Sequence, residues 1–178
     1  MNRWQSTATL TALLLLTLAA CAVNPATGKR QLILVSEGKE LQLGKENDKA
    51  VLAQFGRYED DDLQVYVREI GEKLAARSER PDLDWSFKVV DDPLVNAFAL
   101  PGGYIYLTRG ILAHFNSEAE MASVLGHEIG HVTARHSVNQ MSKARLASIA
   151  LGAGMLVSED LQALGGVAEA GLGVLFLK

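Results

Sequence analysis

Downstream of residue 36 the chain switches between two hydrophobic periods. Leu63, Tyr66, Val67, Ile70 and Leu74 recur at helical spacing, which predicts an amphipathic helix, and the stretch from Ser36 to Phe55 reads as another helix before it. From Trp85 to Val90 the period drops to two, as in a strand. Asp91-Asp92-Pro93 then turns, and Asn96 to Thr108 reads as two strands folded about Pro101-Gly102-Gly103. Helical spacing returns with Met121, Val124, Leu125, Ile129 and Val132, introduced by Ser117-Glu118-Ala119-Glu120, which has the form of a capping box. Together these elements predict an α+β fold, mainly helical, in which a small sheet precedes a long helix.

Both ends of the chain depart from this pattern. Residues 1–20 carry one basic residue, Arg3, and then an apolar run from Leu10 to Ala20. The run is short for a bilayer span and suits the core of an export signal. The run closes on Leu18-Ala19-Ala20-Cys21, which resembles the lipobox of bacterial lipoproteins and marks Cys21 for lipidation. Cys21 is the single cysteine, so an intramolecular disulfide is excluded. Ala22 follows in place of aspartate, which by analogy with such lipoproteins points to the periplasmic face of the outer membrane. Residues 21–35, with Asn24-Pro25 and Thr27-Gly28, read as a tether ending in a strand-like Gln31-Leu32-Ile33-Leu34-Val35. At the other end Leu146 to Val157 and Leu161 to Leu177 are nearly uncharged and rich in glycine, and are expected to form two closely packed helices.

Composition narrows the function. With 178 residues and 48% hydrophobic side chains, the length after the tether, 36–178, is enough for one domain with a real core. A formal charge of −4 without a basic cluster excludes nucleic acid as the natural partner, because phosphate binding needs gathered Lys and Arg. The acidic run Glu59-Asp60-Asp61-Asp62 is read as the favoured start of a helix rather than a calcium site.

The chemistry is concentrated in His127-Glu128-Ile129-Gly130-His131. At about 3.6 residues per turn, His127 and His131 share one helical face and can direct two imidazole nitrogens at one metal ion. Glu128 sits beside them, placed to act on a water as general base. His-Glu-x-x-His on a helix is the zinc-binding signature of metallopeptidases, so one Zn2+ is the expected cofactor, with His127 and His131 as metal ligands and Glu128 as the catalytic residue. Gly130 in a helix interior costs about 1 kcal/mol against alanine, which a close backbone approach would explain. The extended metzincin pattern would need glycine at 134 and histidine at 137, where this chain has Ala134 and Ser137. His136 is read as a helix-end residue meeting the negative dipole end or a carboxylate, and His114 as a partly buried structural histidine.

Three segments extend the motif: Asn96 to Ile105, Ser117 to Val132, and Ala134-Arg135-His136. In order and spacing they resemble the gluzincin peptidases of the HtpX and CAAX-prenyl-endopeptidase group, closest to its periplasmic lipoprotein members. The resemblance implies a zincin-like domain with the sheet next to the motif helix. It also implies an asparagine-containing edge strand, here Asn96, Ala97, Phe98 and Ala99, along which an extended substrate lies. The implied activity is endopeptidase cleavage of unfolded or misassembled envelope proteins, as in protein quality control. It further implies a third zinc ligand, a glutamate within a Glu-x-x-x-Asp motif on a later helix. Glu159 and Glu169 are the later glutamates and neither is followed four residues on by aspartate, so the sequence reads as stopping short of that ligand. The competing reading is a non-catalytic periplasmic lipoprotein with a binding or chaperone-like role and an incomplete metal site.

Overall fold

The computed structural model describes residues 21–155 apart from 25 and 27. The export-signal segment and the helix expected over Leu161 to Leu177 lie outside the described residues. The chain divides into two compact units, 1–140 and 141–178.

The first unit opens with a short antiparallel hairpin, β1 (Cys21–Val23) and β2 (Arg30–Leu32). Helices α1 (Glu37–Phe55) and α2 (Asp61–Ala75) follow. Next come β3 (Ser86–Val90), β4 (Ala97–Leu100) and β5 (Tyr104–Thr108), the short helix α3 (Arg109–Leu112), and α4 (Glu118–Thr133). Helix α5 (His136–Met155) starts in the first unit, and its residues 141–155 are the described part of the second. The fold is α+β and mainly helical, as the hydrophobic pattern predicts. No helix among the described residues is long and apolar enough to cross a membrane.

The sheet order is β3-β5-β4, with β3 parallel and β4 antiparallel to the central β5. One face carries Phe87, Val89, Ile105 and Leu107, which join Val67 and Ile70 of α2 and Met121, Leu125, Ile129 and Val132 of α4 in one buried cluster. The other face meets α1 through polar and small groups. Tyr106 Oη donates to Asp48 Oδ1 at 2.6 Å, Lys88 pairs with the same carboxylate, and Gly44 lies so close to Pro101 and the Tyr104 ring that a Cβ would fall 2.1 Å from the Pro101 carbonyl oxygen. Phe98 stacks on Tyr106 with ring centroids 4.9 Å apart.

Helix starts follow the expected chemistry. Asp60 caps α2, its carboxylate accepting from Leu63 N–H at 2.9 Å, and Asp61 pairs with Arg57 at 2.6 Å, so the acidic run serves a helix N-terminus. Within the tether expected over 21–35, the described residues include two short paired strands. The strand is Arg30–Leu32 rather than 31–35, and it pairs with Cys21–Val23. Asn24 is fully buried and its Nδ2 donates to the carbonyl of Ala134 at 3.0 Å, fastening the hairpin to the body. The helix expected from Leu146 begins earlier, at His136.

Candidate metal centre

Helix α4 carries the motif between a well-made start and an abrupt stop. Ser117 Oγ accepts from Glu120 N–H at 3.3 Å. The return bond of the box shifts by one residue: Glu120 Oε2 accepts from Asn116 N–H at 2.8 Å instead of from Ser117. Met121, Leu125, Ile129 and Val132 turn inward to the core, which leaves His127 exposed and Glu128 and His131 half-buried on the flank.

The two imidazoles converge as the spacing predicts. His127 Nε2 and His131 Nε2 are 3.0 Å apart, with ring centroids at 4.6 Å. Two nitrogens sharing a tetrahedral zinc at about 2.0–2.1 Å stand about 3.3 Å apart, so a shift of a few tenths of an ångström fits the pair to the ion. Burial pushes the Glu128 carboxyl above its ordinary range, opposed by the charge of His127. Burial, and then the charge of His127, holds His131 below the usual histidine value, which favours the neutral ring that ligates metal. The donor chemistry therefore fits a zinc ion at two positions. Among the described residues no group of three His, Cys, Asp or Glu gathers to complete it, and Glu159 and Glu169 lie outside those residues.

The end of α4 differs from the sequence reading. The helix stops at Thr133, and Arg135 adopts a left-handed conformation with φ of 52°. That strain is held by a buried carboxylate: Arg135 Nε donates to Glu40 Oε2 at 2.8 Å, and Arg80 Nη1 donates to Glu40 Oε1 at 2.7 Å. Arg135 Nη2 also reaches the Val35 carbonyl at 3.3 Å. His136 then opens α5 rather than closing α4. Its Nδ1 lies 2.9 Å from His131 Nδ1. The close approach expected at Gly130 is also absent, since a Cβ built there meets nothing within 4 Å among the described residues. His114 is structural, its Nδ1 lying 2.9 Å from the Gly110 carbonyl oxygen, but it is exposed rather than partly buried.

Strand β4 lies at one edge of the sheet and packs on α4. Thr108 N–H donates to the Asn96 carbonyl at 3.1 Å, which fixes the hydrogen-bonding phase. The N–H and C=O of Phe98 and Leu100 therefore face β5, while those of Ala97 and Ala99 point along the outer edge, where the sheet has no further strand among the described residues. Asn96 stands exposed just before the strand, its own N–H donating to Thr108 Oγ1 at 3.2 Å. Of the residues proposed from sequence, His127, Glu128 and His131 thus share one helix flank, and Asn96 to Ala99 form the sheet margin next to that helix. Cys21 starts β1, and its side chain lies outside the described set.

The sequence profile of peptidase family M48 matches residues 61–177, which span α2, the sheet and the motif helix. The chain belongs to peptidase family M48. The chain is similar to the mitochondrial metalloendopeptidase OMA1 of Schizosaccharomyces pombe, 33% identical over 129 residues covering 70% of this chain and 38% of that protein. The OMA1 of Arabidopsis thaliana is 48% identical over 69 residues, 39% of this chain and 14% of its own length. A putative beta-barrel assembly-enhancing protease of Vibrio cholerae is 39% identical over 101 residues, 55% of this chain and 21% of its own. The chain thus spans well under half the length of these relatives. M48 is a peptidase family, the two OMA1 relatives are named as metalloendopeptidases and the third as a protease, which supports a metalloendopeptidase and is in keeping with the gluzincin resemblance of the motif segments.

Proposed function

We propose that this chain is a zinc-dependent endopeptidase of zincin-like fold that hydrolyses peptide bonds in unfolded or misassembled envelope proteins. Its signal is removed and Cys21 is lipidated, which holds it at the periplasmic face of the outer membrane. The observation that carries the reading is the convergence of two imidazole Nε2 atoms, 3.0 Å apart, beside a half-buried carboxylate and next to a sheet edge. Bound by His127 and His131, zinc would supply Lewis acidity, a water acidified towards neutrality and a polarised carbonyl. Glu128 takes the proton of the attacking water and delivers it to the leaving amine, and its raised affinity for protons suits the second half of that task. The outward N–H and C=O of Ala97 and Ala99 bind an extended peptide by strand addition, which reads backbone and tolerates any sequence. Asn96 marks where that added strand enters. Support for misassembled envelope substrates comes from the relatives named beta-barrel assembly-enhancing proteases.

The deciding experiment pairs proteolysis with metal content in the full-length protein. Glu128→Gln is expected to lower kcat/KM on an unfolded protein substrate by about 10²–10⁴-fold while zinc per chain stays as in the parent. His127→Ala is expected to lose both. A Glu128→Gln variant that cleaves like the parent would remove the catalytic reading. The second reading, a binding lipoprotein, draws on the two-donor set among the described residues, and predicts no cleavage and no retained zinc in any variant.

A further inference from the structure

His131 has two ring nitrogens with two different neighbours. Its Nε2 faces His127 Nε2 at 3.0 Å, and its Nδ1 faces His136 Nδ1 at 2.9 Å. We propose that His136 is the positioning residue for His131, accepting the Nδ1–H of that ring and thereby holding its Nε2 lone pair towards the shared metal position. The proposal rests on the metallopeptidase reading above and adds to it a residue that touches neither metal nor substrate.

The chemistry of the pair leaves one arrangement. Two nitrogens 2.9 Å apart need one hydrogen between them. A metal on His131 Nε2 takes the lone pair there, so the ring proton resides on Nδ1 and is donated outward. His136 can receive it only as the neutral tautomer that carries its own proton on Nε2. His136 is exposed, so that Nε2–H can be hydrated. Ligating histidines are ordinarily fixed in this way by a carboxylate, a carbonyl or a water; here another imidazole takes that place.

The backbone is shaped for this contact. In an uninterrupted helix, residues five apart point about 140° away from each other, and the two rings would not meet. The left-handed Arg135 breaks the helix between them and brings the ring centroids to 4.9 Å. Arg135 is in turn locked by Glu40, 1% exposed, from a helix 95 residues earlier. Glu40 thus acts at a second remove, by holding the turn that presents His136.

The test measures zinc affinity of the full-length protein by competition with a chromophoric chelator. The panel is the parent, His136→Phe, His136→Asn and His127→Ala, with the thermal midpoint of each metal-free form as a folding control. Phenylalanine keeps the ring's bulk without an acceptor, whereas the Asn Oδ1 offers one near the place of Nδ1. His136→Phe is expected to weaken zinc binding by about 10–100-fold, and His136→Asn to recover most of the loss, with metal-free midpoints alike. Parent-like zinc affinity in His136→Phe would overturn the role of His136 while leaving the metallopeptidase reading in place. Equal losses in the Phe and Asn variants would overturn it too, because acceptor chemistry would then not matter. If the parent binds zinc no better than His127→Ala, the metallopeptidase reading itself fails and takes this proposal with it.

Discussion

Glu40 is where the largest effect of a single polar substitution is expected. Its carboxylate is 1% exposed and receives Arg80 Nη1 at 2.7 Å, Arg135 Nε at 2.8 Å and Arg135 Nη2 at 2.7 Å. In Glu40→Ala, Arg80 keeps Glu37 at 2.8 Å, whereas among the described residues Arg135 keeps only the 3.3 Å contact with the Val35 carbonyl. One guanidinium, 15% exposed, is then left without its counter-charge. Breaking a buried ion pair from one side costs about 3–5 kcal/mol, and the partial exposure of the arginine points to about 3. That is a large share of a domain stability of about 5–15 kcal/mol. Glu37 binds the same Arg80 but is 67% exposed, so Glu37→Ala is expected to cost less than about 1 kcal/mol. Urea unfolding followed by circular dichroism, with parent, Glu37→Ala and Glu40→Ala at one pH, reads both numbers. A Glu40→Ala variant within about 1 kcal/mol of the parent, or two variants equally destabilised, would refute the argument that burial sets the worth of this cluster.

Other expectations follow from the same geometry. Gly71→Ala puts a Cβ 2.4 Å from the buried Phe87 ring and is expected to destabilise by about 1–3 kcal/mol, while Gly126→Ala meets nothing within 4 Å among the described residues and gains up to about 1 kcal/mol of helix propensity; opposite shifts in melting temperature check the pair. In metal-free protein, burial holds His131 and His136 below the ordinary histidine value, so the unfolded chain binds protons that the folded one refuses. Their contribution is present above about pH 6.5 and is lost as pH falls below it. Glu128, raised by burial, acts in the opposite sense, being favourable at low pH and lost as pH rises through its folded value. The readout is therefore the difference between the parent and a His131→Gln/His136→Gln variant in urea midpoints at pH 5.5 and about 7.5, where the variant should lose less on acidification. Ala99→Pro removes one outward N–H from the edge of β4 and is expected to raise KM for unfolded substrates with kcat little changed; an unaltered KM would argue against strand addition there.

What the sequence made legible was local. The i, i+3, i+4 spacing of α2, the turn at Pro101-Gly102-Gly103 and the capping serine before α4 each concern residues within a few positions of one another, and each has its counterpart in the structure. The convergence of His127 and His131 was legible for the same reason. Arg135 was not, because a helix break by a left-handed arginine needs no glycine or proline and is enforced by a carboxylate 95 residues away. The buried residues of α1, Glu40 and Gly44, carry no apolar stripe, so hydrophobic periodicity is blind to that face. A glutamate and a glycine at i, i+4 followed by Asp48 is the trace such a face leaves, and it becomes meaningful only once Arg80, Arg135, Tyr104 and Tyr106 are known to lie opposite. The ordered hairpin at 21–32 escaped notice for a related reason, since its anchor is a bond from Asn24 to a carbonyl 110 residues on.

That bond bears on how the protein works in place. A free leash between residue 21 and the catalytic body would let the site sweep a volume and meet substrate at any heading. Asn24 instead ties the chain, three residues after Cys21, to the carbonyl of Ala134, one residue beyond the helix that carries His127 and His131. If residue 21 is held as proposed, that hold passes through this bond to the end of the helix carrying His127 and His131, and the heading of the β4 edge follows the anchor.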